Sequence, residues 1–113
     1  MTVLMVALGA ALGAPLRFAV DRWIGSPWGT LTVNVVGSLL LGLILGAPLS
    51  PTLTALLGTG FCGALTTYST FSWETLSMAR RGERAAAFGY VAASVSLGLG
   101  AAWIGSFIAH LYA

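Results

Sequence analysis

The 113-residue chain combines 58% hydrophobic residues with 7% charged residues, a mean hydropathy of +0.93 and a net charge of +2. Soluble domains carry about 25% charged residues, so this composition excludes a soluble domain and predicts an integral membrane protein with spans of roughly 20 residues each. The positive charge comes from arginines near segment ends. It therefore indicates membrane topology and contact with lipid headgroups, and no nucleic-acid partner is expected.

The hydropathy pattern predicts a single all-α membrane domain with four transmembrane helices, at about residues 2–20, 29–47, 52–79 and 85–112. No cleaved signal peptide is expected, because no basic region precedes the first apolar run. Cys62 is the only cysteine, which excludes an intrachain disulfide and predicts a small buried hydrophobic side chain.

The first segment contains Gly9 and Gly13, whose spacing predicts close contact with another helix, and Pro15, which is expected to bend its far end. Arg17 lies inside the same apolar run. Its side chain can extend to the headgroups, or it can hold an anion or backbone groups at a polar vestibule. The residues alone leave both alternatives open.

Arginines lie near one end of the predicted helices. Asp21 and Arg22 begin a short predicted loop, and residues 80–84 (RRGER) form the loop after the third segment. The second loop and the C-terminus contain no arginine or lysine. By the positive-inside tendency, this bias favours one orientation in the membrane, with the termini outward.

The second segment contains Asn34, the only side-chain amide in the chain, about one helical turn from Thr30 and Ser38. The spacing places these three residues on one face of the helix. An amide in hydrocarbon is costly unless its donors and acceptor are used. Asn34 is therefore either bonded to a neighbouring helix or exposed as a donor in a pore.

The third segment is longer than one straight span requires and contains GFCGALTTYSTFSWE at Gly60 to Glu74. Five serine and threonine hydroxyls occur within residues 66–72. Glycines followed by hydroxyls predict a helix that is broken at mid-membrane and forms the functional centre. The alternative is a face of small residues that packs on another helix.

The fourth segment repeats Tyr90, Ser94 and Gly98 at every fourth position. This spacing puts all three on one helical face. They either form a hydroxyl track facing the broken segment or serve ordinary helix packing.

An enzyme, an exporter and a passive channel each require different residues in the membrane. His110 and Cys62 lack the spacing of a nucleophile with its base, so the chain is not expected to be an enzyme. A small proton-coupled exporter of the four-span, dual-topology type is the alternative function, but it requires a mid-membrane carboxylate, and Glu74 lies near the end of its segment. The favoured class is a passive pathway lined by neutral donors. Tyr68 and Phe71, one turn apart, can turn positive ring edges toward a small, strongly hydrated anion.

Three motifs lie in the first three segments: GxxxGAxxR at Gly9 to Arg17, GTLxVNxxGS at Gly29 to Ser38, and GFCGALTTYSTFSxE at Gly60 to Glu74. With these motifs the chain resembles the CrcB-type Fluc fluoride channels across all four segments. The resemblance implies a fluoride-selective passive channel of the cell (plasma) membrane that lets fluoride leave the cytoplasm and gives fluoride resistance. It also implies antiparallel, dual-topology dimers with two fluoride pores and a structural sodium ion (Na+) at the dimer centre.

The resemblance also implies roles for particular residues. Asn34 is the pore asparagine, and Tyr68 and Phe71 are the aromatic pore residues. The polar wall consists of Thr67, Ser69, Ser72, Tyr90 and Ser94. Sodium is held by the backbone carbonyls of Gly63 and Thr66, where the helix is expected to open. Vestibule or structural roles are implied for Arg17, Ser38 and Glu74. The sequence departs from the family pattern at Tyr68, where phenylalanine is usual, and at Gly98, where a serine can occur.

The expected partners are the fluoride ion, membrane lipid and a second copy of the chain in an antiparallel homodimer. The arginine bias leaves one alternative, in which the chain has a fixed orientation and pairs with a homologous subunit.

Overall fold

The computed structural model describes residues Thr2 to Tyr112, and within them it contains helices and no strand. The elements are α1 (Thr2–Ile24), α2 (Trp28–Gly46), α3 (Pro51–Thr54), a π-helix (Ala55–Cys62), α4 (Gly63–Leu65), α5 (Ser69–Arg80) and α6 (Arg84–Leu111). The predicted all-α fold is confirmed. Three helices of the described residues, α1, α2 and α6, are long and apolar enough to cross a membrane.

Large apolar side chains lie mainly on the outside of the molecule. Leu12 is 68% exposed, Leu99 69% and Trp103 77%. Lipid tails are as apolar as leucine, so burial of leucine gives no gain in a bilayer, and helices associate through close backbone contact instead. The contacts between helices are accordingly made by small residues.

The contact between α1 and the π-helix requires glycine. A Cβ atom on Gly9 would lie 2.0 Å from the backbone oxygen of Leu56 and 2.6 Å from the backbone nitrogen of Phe61. A Cβ atom on Gly60 would lie 2.6 Å from the backbone oxygen of Val6. The predicted role of Gly9 in close helix contact is confirmed.

The same type of contact joins α2 to α6. A Cβ atom on Gly42 would lie 2.2 Å from the carbonyl oxygen of Ala102, and one on Gly105 would lie 2.3 Å from that of Leu39. Two helix pairs, α1 with the π-helix and α2 with α6, are therefore held at backbone-to-backbone distance.

The third predicted segment is interrupted at Thr66, the last residue of the expected opening from Gly63 to Thr66. Gly63 is helical, with φ −62° and ψ −36°. The chain leaves the helix at Thr66, which is extended with ψ 159°, and resumes at Ser69. Residues 66–68 are called the helix break below. The hydroxyl-rich residues, rather than Gly63, open the helix because their side chains compete for backbone hydrogen bonds.

The predicted first loop is also shorter than expected. Asp21 and Arg22 do not begin it, because α1 continues to Ile24. The helix ends where Gly25 adopts a φ of 88°, and the Gly25 amide donates to the carbonyl of Asp21 at 2.9 Å. A left-handed glycine is a common helix stop. The two charged residues therefore lie on the last turn of a membrane helix.

The glycine contact makes a prediction about stability. Gly9→Ala should lower the thermal unfolding midpoint in detergent, because overpacking against backbone atoms costs about 1–3 kcal/mol or more. Gly89→Ala is the matched control, since no atom lies within 4 Å of the added Cβ. Circular dichroism during heating measures both variants. Equal midpoints for Gly9→Ala and the wild type would contradict the backbone contact.

Candidate functional site

The side-chain amide of Asn34 is bonded to the backbone of the helix break. Its Nδ2 donates to the Thr67 carbonyl at 3.1 Å, and its Oδ1 accepts from the Thr67 amide at 2.8 Å. One side chain on α2 therefore pairs both polar groups of the Thr67 peptide backbone. The interhelical bond considered for Asn34 is present. A primary amide has two N–H donors. Asn34 uses one of them to bind the Thr67 carbonyl.

Two backbone carbonyls at the helix break lose their helical hydrogen bonds, because the amides that would donate to them bind side chains instead. In a continuous α-helix, the Thr67 amide would donate to the carbonyl of Gly63, four residues earlier. It donates to Asn34 instead. The Thr70 amide likewise donates to the Thr67 side-chain hydroxyl at 3.3 Å rather than to the carbonyl of Thr66. The carbonyls of Gly63 and Thr66 are thereby left available as acceptors.

Threonine hydroxyls cap both helix ends that the break creates. The Thr66 hydroxyl donates to the carbonyl of Cys62 at 3.0 Å, at the end of the π-helix. The Thr67 hydroxyl accepts from Thr70 at the start of α5 and lies 3.5 Å from the Ser69 hydroxyl. A hydroxyl three residues before the amide it binds is the usual geometry of an N-cap. The hydroxyl-rich sequence therefore stabilises the break itself.

An open groove of about 610 Å³ lies beside the helix break. Below it is called the break groove. Seven of the residues proposed for the site lie along it: Asn34, Ser38, Gly63, Thr66, Thr67, Tyr68 and Phe71. The remaining lining residues are small or apolar, apart from the hydroxyl of Thr59. The structure thus brings the asparagine, the two aromatic residues and the two candidate sodium-binding carbonyl residues to one surface.

Three aromatic rings follow one another from the groove into the protein. The ring centroids of Tyr68 and Phe71 are 6.4 Å apart, with an interplanar angle of 52°. Those of Phe71 and Tyr90 are 5.2 Å apart at 53°. Tyr68 is 81% exposed, whereas Tyr90 is 6% exposed. Tilted rings present positive edges to their surroundings. Tyr90 therefore lies behind Phe71, outside the groove lining.

Glu74 connects three parts of the fold. Its side chain is 7% exposed. The Tyr90 hydroxyl on α6 donates to its Oε1 at 2.7 Å, and the Ser26 hydroxyl donates to its Oε2. Glu74 is itself on α5, so one carboxylate joins α5, α6 and the loop between α1 and α2. Ser26 was not identified in the sequence, since an exposed serine in a short loop gives no signal.

Arg17 lies in a separate cavity of about 180 Å³, called the Arg17 cavity. The other lining residues are Phe18, Asp21, Thr30, Val33, Thr67 and Thr70. Within residues 2–112, the buried Nε of Arg17 and the buried Oδ1 of Asp21 have no hydrogen-bond partner. Thr67 lines both this cavity and the break groove. Thr30, expected on the same face as Asn34 and Ser38, lies in this cavity rather than in the groove.

The polar wall residues expected on α5 and α6 do not line the break groove. They are Ser69, Ser72, Tyr90 and Ser94. The buried Oγ of Ser94 has no partner among the described residues. Gly98 faces Ser38 on α2, since a Cβ atom added to it would lie 3.6 Å from the Ser38 hydroxyl oxygen. The pore roles of these residues remain predictions.

Comparison with known proteins gives consistent matches along the chain. The family model described as CrcB-like protein, Camphor Resistance (CrcB), matches residues 4–106. The chain is 53% identical to fluoride-specific ion channel FluC 2 of Rhodococcus jostii (strain RHA1), over 93% of this chain and 96% of the relative. It is 50% identical to fluoride-specific ion channel FluC 1 of Streptomyces avermitilis, over 97% of each. It is 40% identical to fluoride-specific ion channel FluC of Leptospira interrogans (strain Fiocruz L1-130), over 92% and 91%.

The Asn34 pairing predicts the behaviour of one backbone amide. In Asn34→Leu, the Thr67 amide loses its acceptor and should exchange with deuterium about tenfold faster or more, because loss of a buried hydrogen bond costs about 1–3 kcal/mol. Ser38→Ala, on the same helix face and groove, should leave this amide protected. Residue-resolved hydrogen exchange by NMR makes the comparison. Unchanged protection of Thr67 in Asn34→Leu would show that Asn34 does not hold the break.

Proposed function

This chain belongs to the CrcB family, and on that premise we propose that it is a passive, fluoride-selective channel that lets fluoride leave the cytoplasm. The chain is a multi-pass protein of the plasma membrane. The observation that carries the proposal is the helix break beside the groove, with Asn34 and two tilted rings at its edge. The relatives are named as ion channels, which are not a class of enzyme, and the proposal includes no catalytic step.

The groove chemistry suits a small anion. Among the described residues, those that line the groove include no arginine, lysine or histidine, so the available donors are neutral. The second N–H of Asn34 and threonine hydroxyls can replace part of the hydration shell, and ring edges of Tyr68 and Phe71 add weak positive potential. Neutral donors bind an anion without holding it as a fixed cation would, which conduction requires.

Passive conduction is sufficient to give resistance. Hydrogen fluoride is neutral and crosses membranes, then dissociates inside the cell to give fluoride. An open anion path lets the trapped fluoride leave down its gradient. Glu74, the buried carboxylate that an exporter would require, already accepts two hydroxyl hydrogen bonds away from the groove lining. This disfavours the alternative of a small proton-coupled exporter.

We further propose a structural sodium ion held by the carbonyls of Gly63 and Thr66. Support comes from the diversion of their helical donors to Asn34 and to the Thr67 hydroxyl. Carbonyls in hydrocarbon need a partner, and a hard cation prefers oxygen ligands. The described residues contain no group of three or more His, Cys, Asp or Glu side chains suited to a metal. Backbone oxygens therefore provide the ligands in this proposal, two from each of two chains.

The proposed assembly is an antiparallel homodimer. The break groove is open on one side, so a single chain cannot enclose a pore there, and a second copy would cover it. The arginine bias supports the alternative of a homologous partner in a fixed orientation. Arg22 lies near the end of α1, and Arg80, Arg81 and Arg84 lie around the turn between α5 and α6.

The function is tested with purified protein in liposomes and a fluoride electrode. Fluoride efflux should occur without a pH gradient and exceed chloride efflux. Phe71→Ala should reduce fluoride efflux about tenfold or more, because the ring edge is lost, whereas Tyr68→Phe keeps the ring and should conduct. Equal efflux of both anions would indicate a nonselective pore. Efflux that requires a pH gradient would favour the exporter.

The sodium proposal is tested by ion replacement. Protein purified with N-methylglucamine in place of sodium should lose the dimer on size-exclusion chromatography and lose fluoride efflux, and sodium should restore both. Potassium is the control cation, because its larger radius fits a sodium site poorly. A dimer that is equally stable in all three solutions would argue against a structural ion.

Orientation is tested by labelling with an impermeant thiol reagent on intact cells. Thr52→Cys and Glu83→Cys, each in a Cys62→Ala background, place exposed thiols near opposite ends of the helices. Gly82 is avoided, since its φ of 80° disfavours other residues. In an antiparallel homodimer, roughly half of each variant should be labelled. Complete labelling at one position and none at the other would establish a fixed orientation and a separate partner subunit.

A further inference from the structure

We propose that Ser26, in the loop between α1 and α2, is a positioning residue for the ring of Phe71 at the break groove. It acts through Glu74 and Tyr90, and the inference rests on the proposed function in that Phe71 contacts the conducted ion. Ser26 does not line the break groove and donates a hydrogen bond to Glu74, so its effect on conduction is transmitted through Glu74 and Tyr90.

The side chain that Ser26 acts on directly is the carboxylate of Glu74. It is 7% exposed, and each of its oxygens accepts a hydroxyl from a different element. A buried carboxylate that loses a donor carries a desolvation cost, so it reorients toward a new partner or toward water. Water can reach this position through a cavity of about 440 Å³ that Ser26, Glu74 and Ser77 all line. Ser26 therefore holds one rotation of the carboxylate against a hydrated alternative.

Tyr90 connects the carboxylate of Glu74 to the ring of Phe71. Its hydroxyl donates to Glu74 Oε1 at 2.7 Å, and its ring lies 5.2 Å from the ring of Phe71. Tyr90 belongs to the buried apolar cluster with Met78 and Ala87, against which Phe71 packs. The hydroxyl of Tyr90 is therefore held by Glu74, and its ring contacts the ring of Phe71. A shift of the carboxylate moves the hydroxyl and, with it, the surface on which Phe71 rests.

Ser26 is not part of the apolar packing around Tyr90. It is an exposed residue of the loop between α1 and α2. Its described side-chain contact is the hydrogen bond to Glu74. Removing the hydroxyl should therefore change the geometry of Glu74 and Tyr90 without a loss of buried apolar surface. The fold can remain intact while the angle of the Phe71 ring changes.

The test compares three variants of the full-length protein in liposomes. Ser26→Ala removes the donor, Ser26→Thr retains a hydroxyl, and Ser77→Ala removes a hydroxyl from the same cavity that has no bond to Glu74. Fluoride efflux should fall about tenfold in Ser26→Ala, at the lower end of what a hydrogen bond to a charged group contributes. Its ratio of fluoride to chloride efflux should also fall. Ser26→Thr and Ser77→Ala should stay close to the wild type.

An NMR measurement separates this inference from the proposed function. The nuclear Overhauser contact between the rings of Tyr90 and Phe71 should weaken in Ser26→Ala and persist in Ser26→Thr and Ser77→Ala. If the wild type conducts no fluoride, the proposed function fails, and this contact alone decides whether Ser26 positions Phe71. An unchanged ring contact in Ser26→Ala, or unchanged efflux in this variant when the wild type conducts fluoride, would overturn the inference. So would a loss that Ser26→Thr does not restore.

Discussion

The hydrogen-bonded pair between the Asn34 amide and the Thr67 backbone is the interaction on which the rest of this structure depends. A bilayer supplies no water to an interrupted helix, so each freed amide and carbonyl must find a partner within the protein. Asn34 provides a donor and an acceptor at once, at 3.1 and 2.8 Å. Because it takes the Thr67 amide out of the helical pattern, the carbonyl of Gly63 is released, and a separate helix, α5, begins at Ser69.

This arrangement removes the conflict between the two roles considered for Asn34. A primary amide can hold the backbone with one N–H and keep the other for a ligand. Structural and ion-binding roles are therefore compatible in one residue that lines the groove. Thr67 also has two roles, because its backbone binds Asn34 while its hydroxyl caps α5. A substitution at either residue is expected to change the backbone geometry and the groove together.

Packing and polar bonding have separate tasks in this fold. Glycine contacts such as Gly9 against the π-helix and Gly105 against α2 set the distances between helices. Since such contacts are not directional, they do not fix the rotation of individual side chains. Glu74 constrains the rotation of the side chains around it, because its two carboxylate oxygens accept hydrogen bonds from hydroxyls of the first loop and of α6. The ring angles at the groove therefore depend on a carboxylate that is not itself part of the groove lining.

The sequence by itself determined the membrane class, the helical fold and the presence of a break, because hydropathy, length and clustered hydroxyls are local properties. It also identified Asn34, Tyr68 and Phe71, which the structure brings to one groove. Only the tertiary structure decided where between Gly63 and Thr66 the helix opens, since Gly63 stays helical and Thr66 leaves the helix, with Asn34 binding the Thr67 amide. It also decided that Arg17 shares a cavity with Thr67 and that Ser26 binds Glu74. Ser26 and Glu74 are 48 positions apart in the chain, and Arg17 and Thr67, which line one cavity, are 50 positions apart. The spacing of residues along one helix contains no information about which side chains of another helix will lie beside them.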